Sequence, residues 1–597
     1  MTSVRQILRC TQRVIQLQES GAKLLNRSAR CASTQARHKI IEDENGKKIF
    51  PSPYGDLTPT EMHIQEFIWK NIDKHANKTA LVCAVTGRKY TFSETRDASN
   101  YVGRSLLNMG LKKRDVVALV APNYPETIIS FLGTVDADLI VTTVNPFYTA
   151  GELIKLCIIN GVIKQLKDSG AKAVITVAEI ARTTLEAANG ALPPGSPFIV
   201  IEDGTGPIPE GTIPFKDLIE RGKSLPALKQ SDTSIHDMAV LPYSSGTTGL
   251  PKGVMLTHRN IVSNMEMVER TAKGKMWVEA SESFQEILPM VLPFFHIFGM
   301  NVIVLPRLAE GTQIITVPKF TPELFTTVLA KHKVSTGLFV VPPVLLFLNA
   351  SPFIKREYLE NMHHIISGAA PLSNPDVERF YGKFQIDNSK IKFCQGYGMT
   401  ETSPAICLET TGRKPGSIGK NVAGCDVRLV DPITNEDISS PGQTGELWVR
   451  GPHVMKGYLN NEAATREMIV ENGWLRTGDI AYYDEDFDFF VTDRLKELIK
   501  VKGFQVAPAE LEALLRMHPD VQEAAVVGIP DERCGEVPKA YILPKKDAKP
   551  NVEDIQNFVK GKVSDYKELR GGVMIVNNIP ISPSGKILRT QLKNQYK

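Results

Sequence analysis

Short runs of β-branched and apolar residues alternate with longer amphipathic stretches along most of the chain. Val116–Pro122 (VVALVAP), Ala173–Val177 (AVITV), Phe198–Glu202 (FIVIE), Met238–Tyr243 (MAVLPY) and Ile365–Gly368 (IISG) each read as a buried strand running into a loop. Between them, Thr60–Ala76 and Arg96–Met109 place apolar residues with the helical period. Strands without polar alternation, separated by helices, predict parallel sheets with helical crossovers. From about residue 420 the pattern changes. Asp426–Val430, Gly445–Arg450 and Phe489–Thr492 read as short antiparallel strands around Gly and Pro turns. A small α+β unit then follows, containing Ala507–Met517, Glu523–Ile529 and Val552–Lys562. The expected fold class is α/β. A large N-terminal domain of parallel sheets flanked by helices, with a small β subdomain, spans 39–495, and a small mobile α+β lid spans 496–597. The boundary falls at Asp493-Arg494-Leu495-Lys496, where the strand FFVT ends.

Two segments depart from this pattern. Ile287–Leu305 carries no Lys, Arg, Asp or Glu, yet Pro289 and Pro293 would break helix hydrogen bonds in lipid. It reads as a buried strand, a turn and a core helix, so no transmembrane segment is expected. Leu156–Lys164 repeats the Ile-Lys ending of the preceding GELIK, and its excision would leave GELIKQLKDSGAK. It reads as an insert with no chemical role.

Composition narrows the class. The 597 residues suffice for about four units of average size. Hydrophobic residues at 42% and charged residues at 23% fit a globular chain. The formal net charge of +4 is unevenly placed. Residues 1–38 hold Arg5, Arg9, Arg13, Lys23, Arg27, Arg30 and Arg37 against Glu19 alone, which leaves the remainder slightly acidic. That body gives no reason to expect a nucleic-acid partner. Arg5, Arg9 and Arg13 share one helical face, with Val4, Ile7, Leu8, Val14 and Ile15 roughly opposite. An Arg-rich, acid-poor amphipathic start matches a mitochondrial transit segment. The chain ends Asn594-Gln595-Tyr596-Lys597, which is not a SKL-type peroxisomal signal. The eight cysteines form no CxxC pair, so neither a disulfide framework nor a zinc site is expected.

Candidate chemistry concentrates in Tyr243–His258, YSSGTTGLPKGVMLTH. Ser244, Ser245, Thr247 and Thr248 supply hydroxyls, Gly246, Gly249 and Gly253 allow close backbone approach, and Lys252 adds a mobile positive charge. Amides, hydroxyls and a lysine together suit a polyphosphate. The spacing is GxxGxxK, which differs from GxxxxGK[ST]. A bare Ser/Gly run is as often a connecting loop, and the full string is what separates the two readings.

That string resembles the acyl-adenylate-forming superfamily, in its 4-coumarate–CoA ligase, firefly luciferase and fatty acyl–CoA synthetase branch. The resemblance runs from about residue 50 to the end. Its further motifs follow in order: Leu292–Met300 (LPFFHIFGM), Ser367–Leu372 (SGAAPL), Gln395–Thr402 (QGYGMTET), Thr477-Gly478-Asp479, Asp493–Val506 (DRLKELIKVKGFQV) and Pro580–Arg589 (PISPSGKILR).

The resemblance implies an ATP-dependent carboxylic acid–CoA ligase acting on a fatty or aryl acid, with ATP, Mg²⁺ and coenzyme A as cofactors and co-substrates. Gly368, Ala369, Gln395, Gly396 and Tyr397 would hold the adenine, with Tyr397 stacking on it. Thr400 would bond a phosphate oxygen, and Glu401 would ligate Mg²⁺. Asp479 and Arg494 would contact the ribose. His296 would orient the carboxylate and Phe298 would touch the acyl chain. Lys586 would bridge the α-phosphate and the carboxylate. Lys496 would be the hinge, Lys500 would serve thioester formation, Lys502 and Gly503 would border the pantetheine channel, and Lys319 would contact the CoA nucleotide. Asp486-Phe487 stands where the family usually has an Asp-Gly turn. The resemblance also leaves open a luciferase-like oxygenase, an adenylation enzyme loading a carrier-protein thiol, and a catalytically dead acyl-CoA-binding scaffold.

Overall fold

A computed structural model describes residues 39–146, 152–244, 251–272, 274–370, 372, 374–502, 504–581 and 586–596. The leader and its transit reading lie outside these residues.

The first sheet has nine strands. Its centre is Val116–Val120, flanked in parallel by Ile140–Thr143 and Ala171–Val177, and Phe198–Ile201 continues the parallel order. Val117 and Leu119 face the main core, while Val116, Ala118 and Val120 face a second cluster. Both faces are covered, which explains the unbroken apolar run of VVALV. A second sheet places Thr336–Val340, Met362–Ser367 and Lys392–Gly398 side by side in parallel. A third joins Ile287–Met290, Gln313–Thr316 and Thr79–Cys83. The four strands Asp426–Val430, Gly445–Arg450, Leu475–Tyr483 and Phe489–Arg494 form an antiparallel sheet. In the C-terminal unit, Val521–Asp531 pairs with Gly535–Pro544. Helices Pro508–Leu515 and Val552–Val559 bury Leu511, Leu515, Ile555 and Val559 on one face, and Arg589–Gln595 buries Leu592 on the other. The architecture is therefore mixed α/β, with a large N-terminal domain of parallel and mixed sheets and a small C-terminal domain.

Several elements differ from the sequence reading. Thr60–Ala76 is two short helices, Ile64–Trp69 and Ile72–His75. The first starts late because His63 and Glu66 close a capping box ahead of it. Met238–Tyr243 splits at Pro242 into Met238–Val240 and Tyr243–Ser244, since proline cannot donate to the ladder. Ile287–Leu305, by contrast, is as read, a strand, a turn and a helix, the helix being π-helical over Gly299–Val304. No described helix is long and apolar enough to cross a membrane. The segment Leu156–Lys164 lies inside one continuous helix, Glu152–Ser169. Phe487 adopts φ +62, the left-handed conformation that glycine takes at no steric cost. Its ring stacks on Tyr483 at 5.4 Å, and that packing offsets the backbone strain. Cys83, Cys394, Cys407, Cys425 and Cys534 are buried thiols outside any disulfide.

Candidate active site

The string Tyr243–His258 is anchored on both sides of residues 245–250. Tyr243 and Ser244 pair with Gly253 and Lys252 across an antiparallel ladder, so Ser244 and Lys252 face each other at the base of the hairpin. The remaining hydroxyls and glycines of the string, Ser245, Gly246, Thr247, Thr248 and Gly249, lie outside the described residues. Gly253 is closely packed, since a Cβ would stand 3.2 Å from both the Tyr243 ring and Leu241. Tyr243 Oη donates to Asp168 Oδ2 at 2.6 Å, tying the strand to the helix Glu152–Ser169. Lys252 Nζ sits 4.8 Å from the centre of the Tyr458 ring. Tyr458 Oη donates to Glu401 Oε1 at 2.8 Å. Burial, then the Glu401 charge, push the Tyr458 phenol far above its ordinary range, so it remains a donor.

Glu401 belongs to a tight turn after the parallel strand Lys392–Gly398. Buried asparagines hold that turn. Asn301 Nδ2 donates to Ser403 O at 2.6 Å, and Asn264 exchanges hydrogen bonds with both backbone groups of Ala405. Gly398 is obligatory, since a Cβ there would stand 1.9 Å from Pro404 O. Thr400 is half-buried beside Glu401. A carboxylate with one oxygen engaged by a phenol suits a hard divalent cation at the other, because Mg²⁺ takes one or two carboxylates plus phosphate oxygens.

A second constellation lies at the carboxyl ends of the parallel strands, where α/β sheets place ligands. Tyr397 Oη donates to Asp479 Oδ2 at 2.6 Å. Asp479 pairs across the ladder with Arg494, whose Nε lies 3.6 Å from Oδ1. Burial raises the Asp479 carboxyl above its ordinary value, against the opposing effects of Arg494, Tyr397 and Lys586. Gln395 Oε1 accepts from the Leu372 amide, which fixes the SGAAPL loop against the next strand. Within that loop Ala369 takes φ +67, and Gly368 lies under the Phe298 ring, 3.0 Å from where a Cβ would stand. Gly396 is half-buried on the same strand as Tyr397.

His296 and Phe298 emerge from the loop before the π-helical segment. Phe298 meets Phe339 edge-on at 6.2 Å, forming an apolar wall. The Phe298 amide donates to His296 Nδ1 at 3.2 Å, which leaves the ring proton on Nε2. Burial, with the Lys586 charge, lowers the His296 pKa to about 4, so the imidazole is neutral at physiological pH. Lys586 comes from the small domain. Burial, then Arg494, lower its pKa to about 8, while Asp479, Glu401 and Glu497 oppose that fall. These electrostatic partners place its ammonium near Asp479, Arg494, Glu401 and His296 of the large domain.

Other sequence candidates stand apart. Lys500 is exposed on Ile499–Val501, where Ile499 and Val501 point into the small-domain core. Lys496, Lys502 and Lys319 are also exposed. Lys502 takes φ +50. Gly503 lies outside the described residues. Sequence reasoning passed over Tyr458, Asp168, Asn264 and Asn301. Tyr458 sits in a two-residue strand, Gly457–Tyr458, too short to leave a periodic signal.

A half-buried lysine of a small domain, held beside an acidic turn and a nucleoside-sized constellation, defines the adenylate-forming class of fold. Residues 68–459 match the AMP-binding enzyme model, and residues 510–586 match the AMP-binding enzyme C-terminal domain. The 4-coumarate–CoA ligase 1 of Arabidopsis thaliana is 37% identical over 571 residues, spanning 94% of this chain and 98% of that protein. The 4-coumarate–CoA ligase 1 of Petroselinum crispum is 38% identical over 552 residues, spanning 91% and 96%. Among solved structures, ATP-bound MatB from Rhodopseudomonas palustris superposes with a TM-score of 0.76 at 26% identity, over 90% of this chain and 99% of that one. The anthranilate CoA ligase AuaEII, in complex with anthranoyl-AMP, gives 0.78 at 25% identity, over 90% and 98%. The chain belongs to the AMP-binding, acyl-adenylate-forming enzyme family, and its general activity is that of an acid–thiol ligase.

Proposed function

We propose that the enzyme converts an apolar carboxylic acid, aryl or fatty, to its CoA thioester through an acyl-AMP. The observation that carries this reading is the Phe298–Phe339 wall beside neutral His296, with Lys586 held at the same place. An apolar pocket with few convergent polar groups suits such an acid. The similarity to 4-coumarate and anthranilate ligases points the same way.

In the first step a carboxylate oxygen of the substrate attacks the α-phosphorus of ATP. The bond to pyrophosphate breaks, leaving acyl-AMP. Lys586 would offset the charge that gathers on the α-phosphate and carboxylate oxygens. His296 Nε2–H would orient the carboxylate. Tyr397 and Asp479 would hold the nucleoside, with Arg494 beside them. Ser244 and Lys252, with the hydroxyls of the polyphosphate string, would hold the β- and γ-phosphates, and Thr400 a phosphate oxygen. Glu401 would hold Mg²⁺, which when bound would supply positive charge against the phosphates. In the second step the CoA thiol gives its proton to solvent, its sulfur bonds to the acyl carbonyl carbon, and the bond from that carbon to the phosphate oxygen breaks as AMP leaves. Lys500 would serve this step once the small domain has turned about Lys496, with Lys502-Gly503 bordering the pantetheine path and Lys319 near the CoA nucleotide.

ATP–pyrophosphate exchange across a panel of carboxylic acids tests the proposal. Exchange driven by cinnamate-type or medium-chain fatty acids, with thioester formed on adding CoA, is the expected result. Exchange confined to small dicarboxylates would reject an apolar pocket. Oxygen consumption without thioester would favour the luciferase-like reading. For location, we propose that residues 1–38 direct mitochondrial import, on the spacing of Arg5, Arg9 and Arg13. A reporter fused to this segment and left diffuse in the cytosol would reject that.

A further inference from the structure

The segment Met455–Leu459 touches both halves of the phosphate-handling apparatus. Its amides bond outward in two directions. Leu459 N donates to Gly253 O at 2.8 Å, beside Lys252, and Met455 N donates to Glu401 O at 2.9 Å. Between these two anchors, Gly457–Tyr458 pairs antiparallel with the strand Lys252–Thr257. Gly457 adopts φ +146, and a Cβ there would stand 2.8 Å from the Thr465 side chain. Thr465 Oγ1 in turn accepts from the Tyr458 amide at 2.9 Å. The Tyr458 backbone is thus fixed from three sides, and the residue is 5% exposed.

Its side chain uses both of its chemical faces. The hydroxyl donates to Glu401 Oε1, and the ring lies under the Lys252 ammonium. A phenol that holds one carboxylate oxygen fixes the rotamer of the carboxylate and selects which oxygen meets a cation. Outer groups of this kind orient metal ligands and commonly change metal affinity by 10–100-fold when removed. A ring face that receives the ammonium restricts a long, flexible side chain to a region near its phosphate target.

We propose that Tyr458 is a positioning residue for both Glu401 and Lys252, setting the carboxylate for the divalent cation through its hydroxyl and the ammonium for the phosphates through its ring. The inference rests on the reading of this site as one for metal-bound ATP. The two contributions are chemically separable. Tyr458→Phe removes the hydroxyl and keeps the ring, whereas Tyr458→Leu removes both.

The test measures binding to the full-length protein without turnover. Mn²⁺ affinity is read by electron paramagnetic resonance in the presence of α,β-methylene-ATP. Affinity for the same nucleotide in EDTA is read by calorimetry. In Tyr458→Phe, Mn²⁺ binding should weaken about tenfold, while metal-free nucleotide binding stays within about twofold of wild type. In Tyr458→Leu, Mn²⁺ binding should weaken at least as much, and metal-free binding should fall about threefold as Lys252 loses its support. A merely structural role would lower both affinities together in both variants. Unchanged Mn²⁺ affinity in Tyr458→Phe, or a uniform loss in both variants, would overturn the assignment while the wild type still binds Mn²⁺ with the nucleotide. A wild type that binds no nucleotide would instead overturn the reading on which the assignment rests.

Discussion

Lys586 lies eleven positions before Lys597 in sequence, a region where a lysine is ordinarily solvated. In the fold it is brought beside Arg494, and desolvation with that like charge lowers its pKa to about 8. The cationic form is therefore complete well below pH 8 and is lost as pH rises through that value. For the free enzyme, kcat/KM for pyrophosphate exchange should hold level near neutrality and decline above about pH 8. Lys586→Arg should lower the rate, since a planar fork does not replace a compact ammonium, yet abolish the alkaline decline up to about pH 9.5. An alkaline limb that persists unchanged in Lys586→Arg would assign it to another group. At this scale the sequence marked Tyr397, Asp479, Arg494 and Lys586, which the fold brings together, because their motifs are contiguous strings. It did not mark Tyr458, Asn264 or Asn301. Their partners are 57, 141 and 102 positions away, and only the folded chain brings them together.

Elements were legible where one periodicity dominates. VVALV reads as a strand because both faces of its sheet are covered, and the antiparallel run GELWVR because its turns are marked. The split of Thr60–Ala76 was hidden, since both short helices bury apolar residues against the same core and the pattern runs on through the break. Leu156–Lys164 poses a sharper question, because it lies within a helix. Deleting nine residues removes about 13 Å of helix and turns what precedes it by half a turn. Yet Leu153, Ile154 and Lys155 would then occupy the places of Val162, Ile163 and Lys164. Val162 is buried, Ile163 packs on the second core and Lys164 is exposed, so the order apolar, apolar, charged is preserved. Gln165, which donates to Thr142 Oγ1 and Thr143 O, and Asp168, which accepts from Tyr243, stay in phase downstream. The deletion should therefore leave exchange activity within about threefold and melting within a few degrees. A folded deletion variant without exchange activity would show that the extra turns position the site.

At the scale of the whole molecule, the two domains are placed so that one lysine of the small domain meets the site and another does not. Lys586 shares the electrostatics of Asp479, Glu401 and His296, whereas Lys500 is exposed on the other side of the small-domain sheet from its core. An ion-pair relay marks the junction. Arg494 contacts Asp479 and Glu497, and Arg589, three residues beyond Lys586, contacts Glu497 and Glu512. The change of texture near residue 420 and the end of FFVT made a second unit legible in the sequence, but not which of its faces meets the large domain. If the small domain presents one face for adenylation and another for thioester formation, each lysine serves one step. Lys586→Ala should lower pyrophosphate exchange by about 10²–10³-fold, yet still convert pre-made acyl-AMP and CoA to thioester. Lys500→Ala should keep exchange and lose thioester formation. Both variants must melt with the wild type, so that a loss of fold is not read as a loss of chemistry. Equal loss of both half-reactions in both variants would refute a two-faced small domain, since a single fixed arrangement in which both lysines act at every step predicts that result.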